Sequence, residues 1–101
     1  MVNQIKFQNL DNECTKCKKC SLSLTRKNVV FGRGNPESKL FVIGEGPGQQ
    51  EDEQGFAFVG RAGKMLDTAF SSVGIDTNKD CYISNIVKCR PPGNRKPHKN
   101  E

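Results

Sequence analysis

Five cysteines stand in 101 residues, and three of them, Cys14, Cys17 and Cys20, are evenly spaced. Two residues between thiolates let both reach one ion or cluster from a tight turn, so Cys14 and Cys17 form a metal-binding pair. A ferredoxin-type run would place a fourth cysteine, followed by proline, at position 24. Leu24 stands there instead, which excludes a self-contained site of that kind. A further ligand must come from far along the chain, from Cys81 or Cys89. Cys81 lies within an apolar run, where a small buried thiol is the ordinary reading. Cys89 lies between Lys88 and Arg90, whose charges stabilise a thiolate, and is the preferred ligand. On spacing alone, zinc and an iron–sulfur cluster are rivals, because thiolates suit both.

A second chemical feature is the glycine-rich acidic stretch from Gly44 to Gly60. Gly44-Glu45-Gly46-Pro47-Gly48 lacks the third glycine of a dinucleotide fingerprint, since Gln49 holds its place. Gly60-Arg61-Ala62-Gly63-Lys64-Met65 fails as a phosphate loop because its gap is short and Met65 replaces the Mg²⁺-binding hydroxyl. Four acids between residues 45 and 53, with no base among them, would repel phosphate. Such a loop is suited instead to bringing backbone N–H groups to a neutral or departing base, with carboxylates nearby to hold water. Phe56 and Phe58 follow the acids, as core aromatics or as a stacking surface for an extruded base. Asn85 interrupts an apolar run. A buried amide there must either satisfy local backbone or read the edge of a ligand.

The elements that would position these residues follow from periodicity. Residues 11–27 read as a loop or short helix organised by metal, and Val29-Val30-Phe31 as a short strand before a turn at residues 32–36. Lys39 to Gly44 is a continuous apolar run, the pattern of a buried parallel strand. The stretch from Gly44 to Gly60 shows no helical or strand period and reads as a loop at the strand's C-terminal end, where open α/β sheets bind ligands. Ala62, Met65, Leu66, Ala69, Phe70 and Val73 recur at helical spacing over residues 61–73, and Gly74 stops the helix. Residues 81–88 read as a second buried strand. Strand, loop, helix and strand imply a right-handed βαβ unit. The run Pro91-Pro92-Gly93-Asn94 then forbids regular structure.

Composition bounds the reading. A chain of 101 residues is one domain at most, and 34% hydrophobic residues without Trp leave a thin core. Mean hydropathy is −0.67, and no apolar run approaches the roughly 20 residues a spanning helix needs. An odd cysteine count without a signal-peptide stretch points to reduced thiols, a cytoplasmic protein and no membrane partner. The net charge is +5. Basic residues dominate positions 1–44 and the tail from Lys88 to Lys99, on either side of the acidic island. That distribution suits a polyanion such as DNA.

Several blocks in order then resemble the family 4 (iron–sulfur, type-4) uracil-DNA glycosylases. They are Cys14 and Cys17; Val29-Val30-Phe31-Gly32-Arg33-Gly34-Asn35-Pro36; Gly44-Glu45-Gly46-Pro47-Gly48; Phe58-Val59-Gly60-Arg61-Ala62-Gly63; and Asn85-Ile86-Val87-Lys88-Cys89-Arg90-Pro91-Pro92. The resemblance runs from about residue 10 to the end. It implies the N-terminal portion of a three-layer α/β/α sandwich around a central four-stranded parallel sheet. Within one domain, residues 10–30 would bind the cluster, 39–88 form the βαβ unit with the uracil-pocket loop, and 89–101 make a basic Pro-rich tail.

The implied activity is hydrolysis of the bond between uracil and deoxyribose in single- or double-stranded DNA, by a monomer in base excision repair. The implied cofactor is a 4Fe-4S cluster on Cys14, Cys17 and Cys89, with a fourth cysteine falling beyond Glu101; Cys20 occurs in many relatives without being a ligand. Phe58 matches the residue that stacks on uracil and Asn85 the amide that pairs with its edge. Glu45 and Gly46 match the motif lining the pocket, Glu51 a pocket acid, and Asn94 a residue linked to catalysis. Ala57 replaces the usual proline. The family's catalytic histidine lies much later, and His98 does not match it by position. The alternative is a non-catalytic, metal-organised DNA-binding module or an inactive glycosylase remnant.

Overall fold

A computed structural model describes residues 4–101. Its elements in order are α1 (Gln4–Thr15), β1 (Arg33–Gly34), β2 (Leu40–Gly44), α2 (Gln49–Gln54), α3 (Arg61–Ser72) and β3 (Cys81–Asn85), with short 3₁₀ turns at Ser21–Leu24 and Pro92–Asn94. The sheet has three strands in the order β1-β3-β2. β2 and β3 are parallel, joined through α2 and α3, and their register sets Gly44 opposite Asn85. The parallel pairing continues past the strand ends, where Ile86 N–H donates to the Gly44 carbonyl and Val87 N–H to that of Glu45. The strand–helix–strand unit read from periodicity is therefore present. The sheet as a whole is mixed rather than purely parallel, because β1 pairs antiparallel with β3.

The core lies mainly between the sheet and α3. Val30, Ala57, Cys81 and Ile83 are fully buried, and Val42, Phe58, Leu66 and Phe70 pack around them. A second cluster of Leu22, Val87 and Cys89, flanked by Cys20 and Val29, ties the cysteine-rich segment to the chain leaving β3. On the opposite sheet face, Phe7 of α1 meets Phe31 and Tyr82 edge-on, each at 5.5 Å. Such pairs contribute about 0.5–1.5 kcal/mol each beyond area burial.

Five local expectations are corrected. Residues 11–15 close a helix that begins at Gln4, held to the sheet by Phe7 although none of its residues is buried. Residues 29–31 are not a strand. Among the described residues, the one backbone bond there runs from Val30 N–H to the Lys88 carbonyl, while the Ser84 hydroxyl donates to the Phe31 carbonyl. The acidic loop contains α2, too short for periodicity to reveal. Glu51 accepts from Gly48 N–H at 3.0 Å, acids sit in its positive first turn, and Gly55 ends it at φ +82°. β2 is not buried: Leu40, Phe41 and Ile43 are exposed because β2 is an edge strand. The inward stripe of α3 is Gly63, Leu66, Asp67 and Phe70, whereas Met65 and Val73 face solvent. Apolar periodicity found Leu66 and Phe70 but not the other two members, which are glycine and aspartate.

Candidate uracil pocket and thiol cavity

The loop leaving β2 and the end of β3 enclose a cavity of about 150 Å³ lined by Glu45, Gly46, Glu51, Phe58, Ala62, Gly63 and Asn85. It is below the size of a drug-like ligand site. Gly44, next to Glu45, lies beneath two of its lining residues. A Cβ there would lie 2.3 Å from Asn85 Oδ1 and 2.6 Å from Phe58 Cζ, so ring and amide both close over a residue without a side chain. Asn85 is 3% exposed, yet its side-chain amide makes no hydrogen bond among the described residues. Its backbone carbonyl is occupied instead, accepting from the Lys88 ammonium, which also donates to Ser84 Oγ at 2.8 Å. A nearly buried amide left open onto a cavity is free to pair with a ligand edge.

Phe58 adopts φ +55°, unusual for a residue with a side chain. The following turn is held from within the acidic loop. Glu51 Oε2 accepts from Val59 N–H at 2.9 Å and Gly60 N–H at 2.6 Å, so one carboxylate links the start of α2 to the start of α3. Gly63 permits the close approach of α3, since a Cβ would fall 1.8 Å from the Phe58 carbonyl oxygen.

Three of the four acids thus divide by role. Asp52 is buried and accepts from Lys27 N–H at 2.8 Å and Asn28 N–H at 3.2 Å, and Glu51 is engaged as described. Glu45 is exposed at the cavity, and its carboxylate makes no hydrogen bond among the described residues. Five of the sequence-predicted residues, Glu45, Gly46, Glu51, Phe58 and Asn85, meet at one cavity. Asn94 does not. It is exposed on the Pro92–Asn94 turn at φ +59°, where its Oδ1 accepts from Arg90 Nε at 2.8 Å. Ala62, Gly63 and Gly44 were missed as site residues because they contribute space rather than functional groups.

A second cavity, of about 320 Å³, is lined by Cys14, Cys17, Cys20 and Cys89, with Leu22, Val87, Lys88 and Glu101 among its other walls. Cys81 is apart from it, fully buried with its thiol against the Thr77 carbonyl. Among the described residues, no three Cys, His, Asp or Glu groups are gathered closely enough to hold a metal ion as they stand. The donor chemistry nevertheless fits a thiophilic metal, since four thiols from two distant segments face one space. Burial pushes the Cys14 thiol up, and the Lys88 charge acts in the opposite direction. Arg26 Nη1 lies 3.2 Å from Cys89 Sγ.

Glu101 closes one side of this cavity, with its carboxylate held by both Arg95 Nη atoms at 2.8 Å and by His98 N–H at 2.9 Å. The side chain is 2% exposed. Its pKa, lowered to about 2, is set by the Arg95 hydrogen bonds first and the His98 N–H second. The folded value lies below the unfolded one, so the bond's contribution is complete above about pH 4.5 and fades as pH falls through about 2. A ¹³C titration should give the Glu101 side chain a midpoint well below that of an ordinary glutamate. A midpoint near an ordinary glutamate would show the pairing is absent in solution.

Residues 31–101 match the sequence profile of the uracil DNA glycosylase superfamily, and the chain belongs to that superfamily. Its relatives include the type-4 uracil-DNA glycosylase of Thermotoga maritima, 51% identical over 82 residues that cover 81% of this chain and 42% of that protein. The type-4 uracil-DNA glycosylase of Saccharolobus solfataricus is 46% identical over 98 residues, covering 94% of this chain and 45% of the relative. That of Archaeoglobus fulgidus is 46% identical over 85 residues, covering 84% and 42%. The chain spans less than half the length of these curated relatives. Among the described residues, no helix is long and apolar enough to cross a membrane.

Proposed function

We propose that this chain forms the N-terminal part of a type-4 uracil-DNA glycosylase domain, which hydrolyses the N-glycosidic bond of uracil in DNA and leaves an abasic site. The observation that carries the proposal is the convergence of the Phe58 ring and the unpaired Asn85 amide over Gly44. Uracil must first leave the base stack, at a cost of a few kcal/mol. Stacking on Phe58 returns about 1–3 kcal/mol. The Asn85 amide, donor and acceptor in one group, pairs with the polar edge of the ring, and Gly46 leaves room for the base to enter. Bond cleavage builds negative charge on uracil and positive charge on the sugar. Hydrogen bonds to uracil that strengthen as it departs lower the barrier, while the Glu45 carboxylate orients water and faces the sugar's positive charge. Glu51 contributes by holding the loop that carries Phe58. For Asn94 to act, its turn must release the bond to Arg90.

Cys14, Cys17 and Cys89 hold a 4Fe-4S cluster in this reading, with the fourth ligand from elsewhere; zinc is the alternative occupant. When bound, the group supplies a structural link between the end of α1 and the chain leaving β3. Residues 10–30 are then the cluster-binding segment, 39–88 the pocket-forming unit and 89–101 the basic tail. The whole domain completes a three-layer α/β/α sandwich with a four-stranded parallel sheet, a reading supported by the exposed Leu40, Phe41 and Ile43 of β2. Basic flanks bind the phosphates of single- or double-stranded DNA, so affinity falls with salt. The protein works as a cytoplasmic monomer.

The test is uracil release from a deoxyuridine oligonucleotide, by the chain alone and by the chain joined to the C-terminal portion of the Thermotoga maritima relative. Activity in the joined protein supports the proposal; binding without release by a folded joined protein favours the DNA-binding alternative. The joined protein, purified anaerobically, is expected to be brown, and Cys14→Ala to abolish the visible absorption. Colourless protein with one equivalent of zinc would assign the cavity to the rival metal.

A further inference from the structure

Arg33 is mostly buried, its side chain 12% exposed, and belongs to none of the groups described so far. β1 brings it, paired with Ile83, behind the loop that carries Phe58. There its guanidinium meets four acceptors at once. Nε donates to the Ala57 carbonyl at 2.6 Å, Nη2 to the Phe58 carbonyl at 2.9 Å and to Asp67 Oδ1 at 2.9 Å, and Nη1 to Thr77 Oγ1 at 3.2 Å. Two successive carbonyls are thus fixed at the point where the backbone enters the left-handed region. Asp67 and Thr77 hold the fork from α3 and from the segment before β3.

We propose that Arg33 is a positioning residue for Phe58, holding the Ala57 and Phe58 carbonyls so that the ring lies over Gly44 beside the Asn85 amide. Its consequence for catalysis rests on the proposal that Phe58 stacks on uracil; the positioning itself does not. A planar fork serves diverging acceptors in a way that a lysine ammonium, a single flexible point charge, cannot. The ion pair with Asp67 orients the guanidinium, and the carbonyl bonds set the loop.

The experiment is NMR of the 101-residue chain, reading nuclear Overhauser contacts from the Phe58 ring to the Gly44 α-protons and the Asn85 amide. In Arg33→Met and Arg33→Lys these contacts are expected to be lost while contacts among Val30, Cys81 and Ile83 remain. Arg33→Lys provides the reading should Arg33→Met fail to fold. Asp67→Asn is expected to keep the Phe58 contacts, because the carbonyl bonds survive. A merely structural arginine would lower the melting temperature and leave the contacts intact in the folded protein. Persistence of the contacts in both Arg33 variants, or their equal loss in Asp67→Asn, overturns the inference. In the joined protein, Arg33→Lys is expected to lower kcat/KM about tenfold in the wild-type background and to add little in Phe58→Ala, since coupled residues are non-additive. Lost contacts with an unchanged rate would instead refute the stacking role of Phe58 and leave the positioning role standing.

Discussion

Gly44→Ala is expected to abolish uracil release, about a hundredfold loss or more, while leaving the protein folded. Position 44 ends a strand in which alanine is conformationally acceptable, so the substitution acts through space rather than backbone strain. The added carbon would lie far inside contact distance of both Asn85 Oδ1 and Phe58 Cζ. The nearest atoms can move only by turning the amide, the ring or both out of register with a bound base. A group misplaced by about an ångström commonly costs on the order of a hundredfold in rate. Circular dichroism and the melting curve check that the fold persists, and a single-turnover assay on the joined protein reads the loss. Full activity in Gly44→Ala would mean that the ring and amide do not act together on the base.

Asn85→Ala is expected to lower kcat/KM by about tenfold to a hundredfold. The native residue is 3% exposed, and its amide, open to the cavity, has no partner among the described residues. Its removal should therefore leave stability nearly unchanged, because no intramolecular bond is broken. In the proposed site the effect falls on the liganded state, where a bond to uracil worth about 1–3 kcal/mol would disappear. A lower melting temperature with an unchanged kcat/KM would make Asn85 a structural amide, the local-backbone role left open by the sequence.

The parts of the molecule that the sequence revealed are those where one residue type at one spacing has few explanations. Two cysteines three apart and a third beside two cations mark a thiol site, and those residues do line one cavity. The run Lys39–Gly44 and the stop at Gly74 mark a strand and a helix end that both occur. Phe58 and Asn85 were ambiguous from composition, as core ring and satisfied amide, and only the resemblance joined them. The clamps were illegible for a different reason. Glu51 reaches Val59 and Gly60, and Arg33 reaches positions 57, 58, 67 and 77. These links depend on tertiary approach, not on a local pattern. Acids that look like water-holding groups in sequence became backbone acceptors once α2 formed and turned Glu51 and Asp52 inward. β1 escaped because two residues carry no period. The burial of β2 was overestimated because a continuous apolar run reports the wish for two covered faces and says nothing of whether neighbours are present.

The most direct measurement of the pocket is a titration of the ¹⁵N-labelled chain with free uracil, with thymine and adenine as controls. Saturable shifts with uracil at the Asn85 side-chain amide, Gly46 and Phe58, lost in Gly44→Ala, are the predicted result. Shifts confined to other regions, or no difference between uracil and adenine at these residues, would contradict a site in which the ring and the amide receive one pyrimidine.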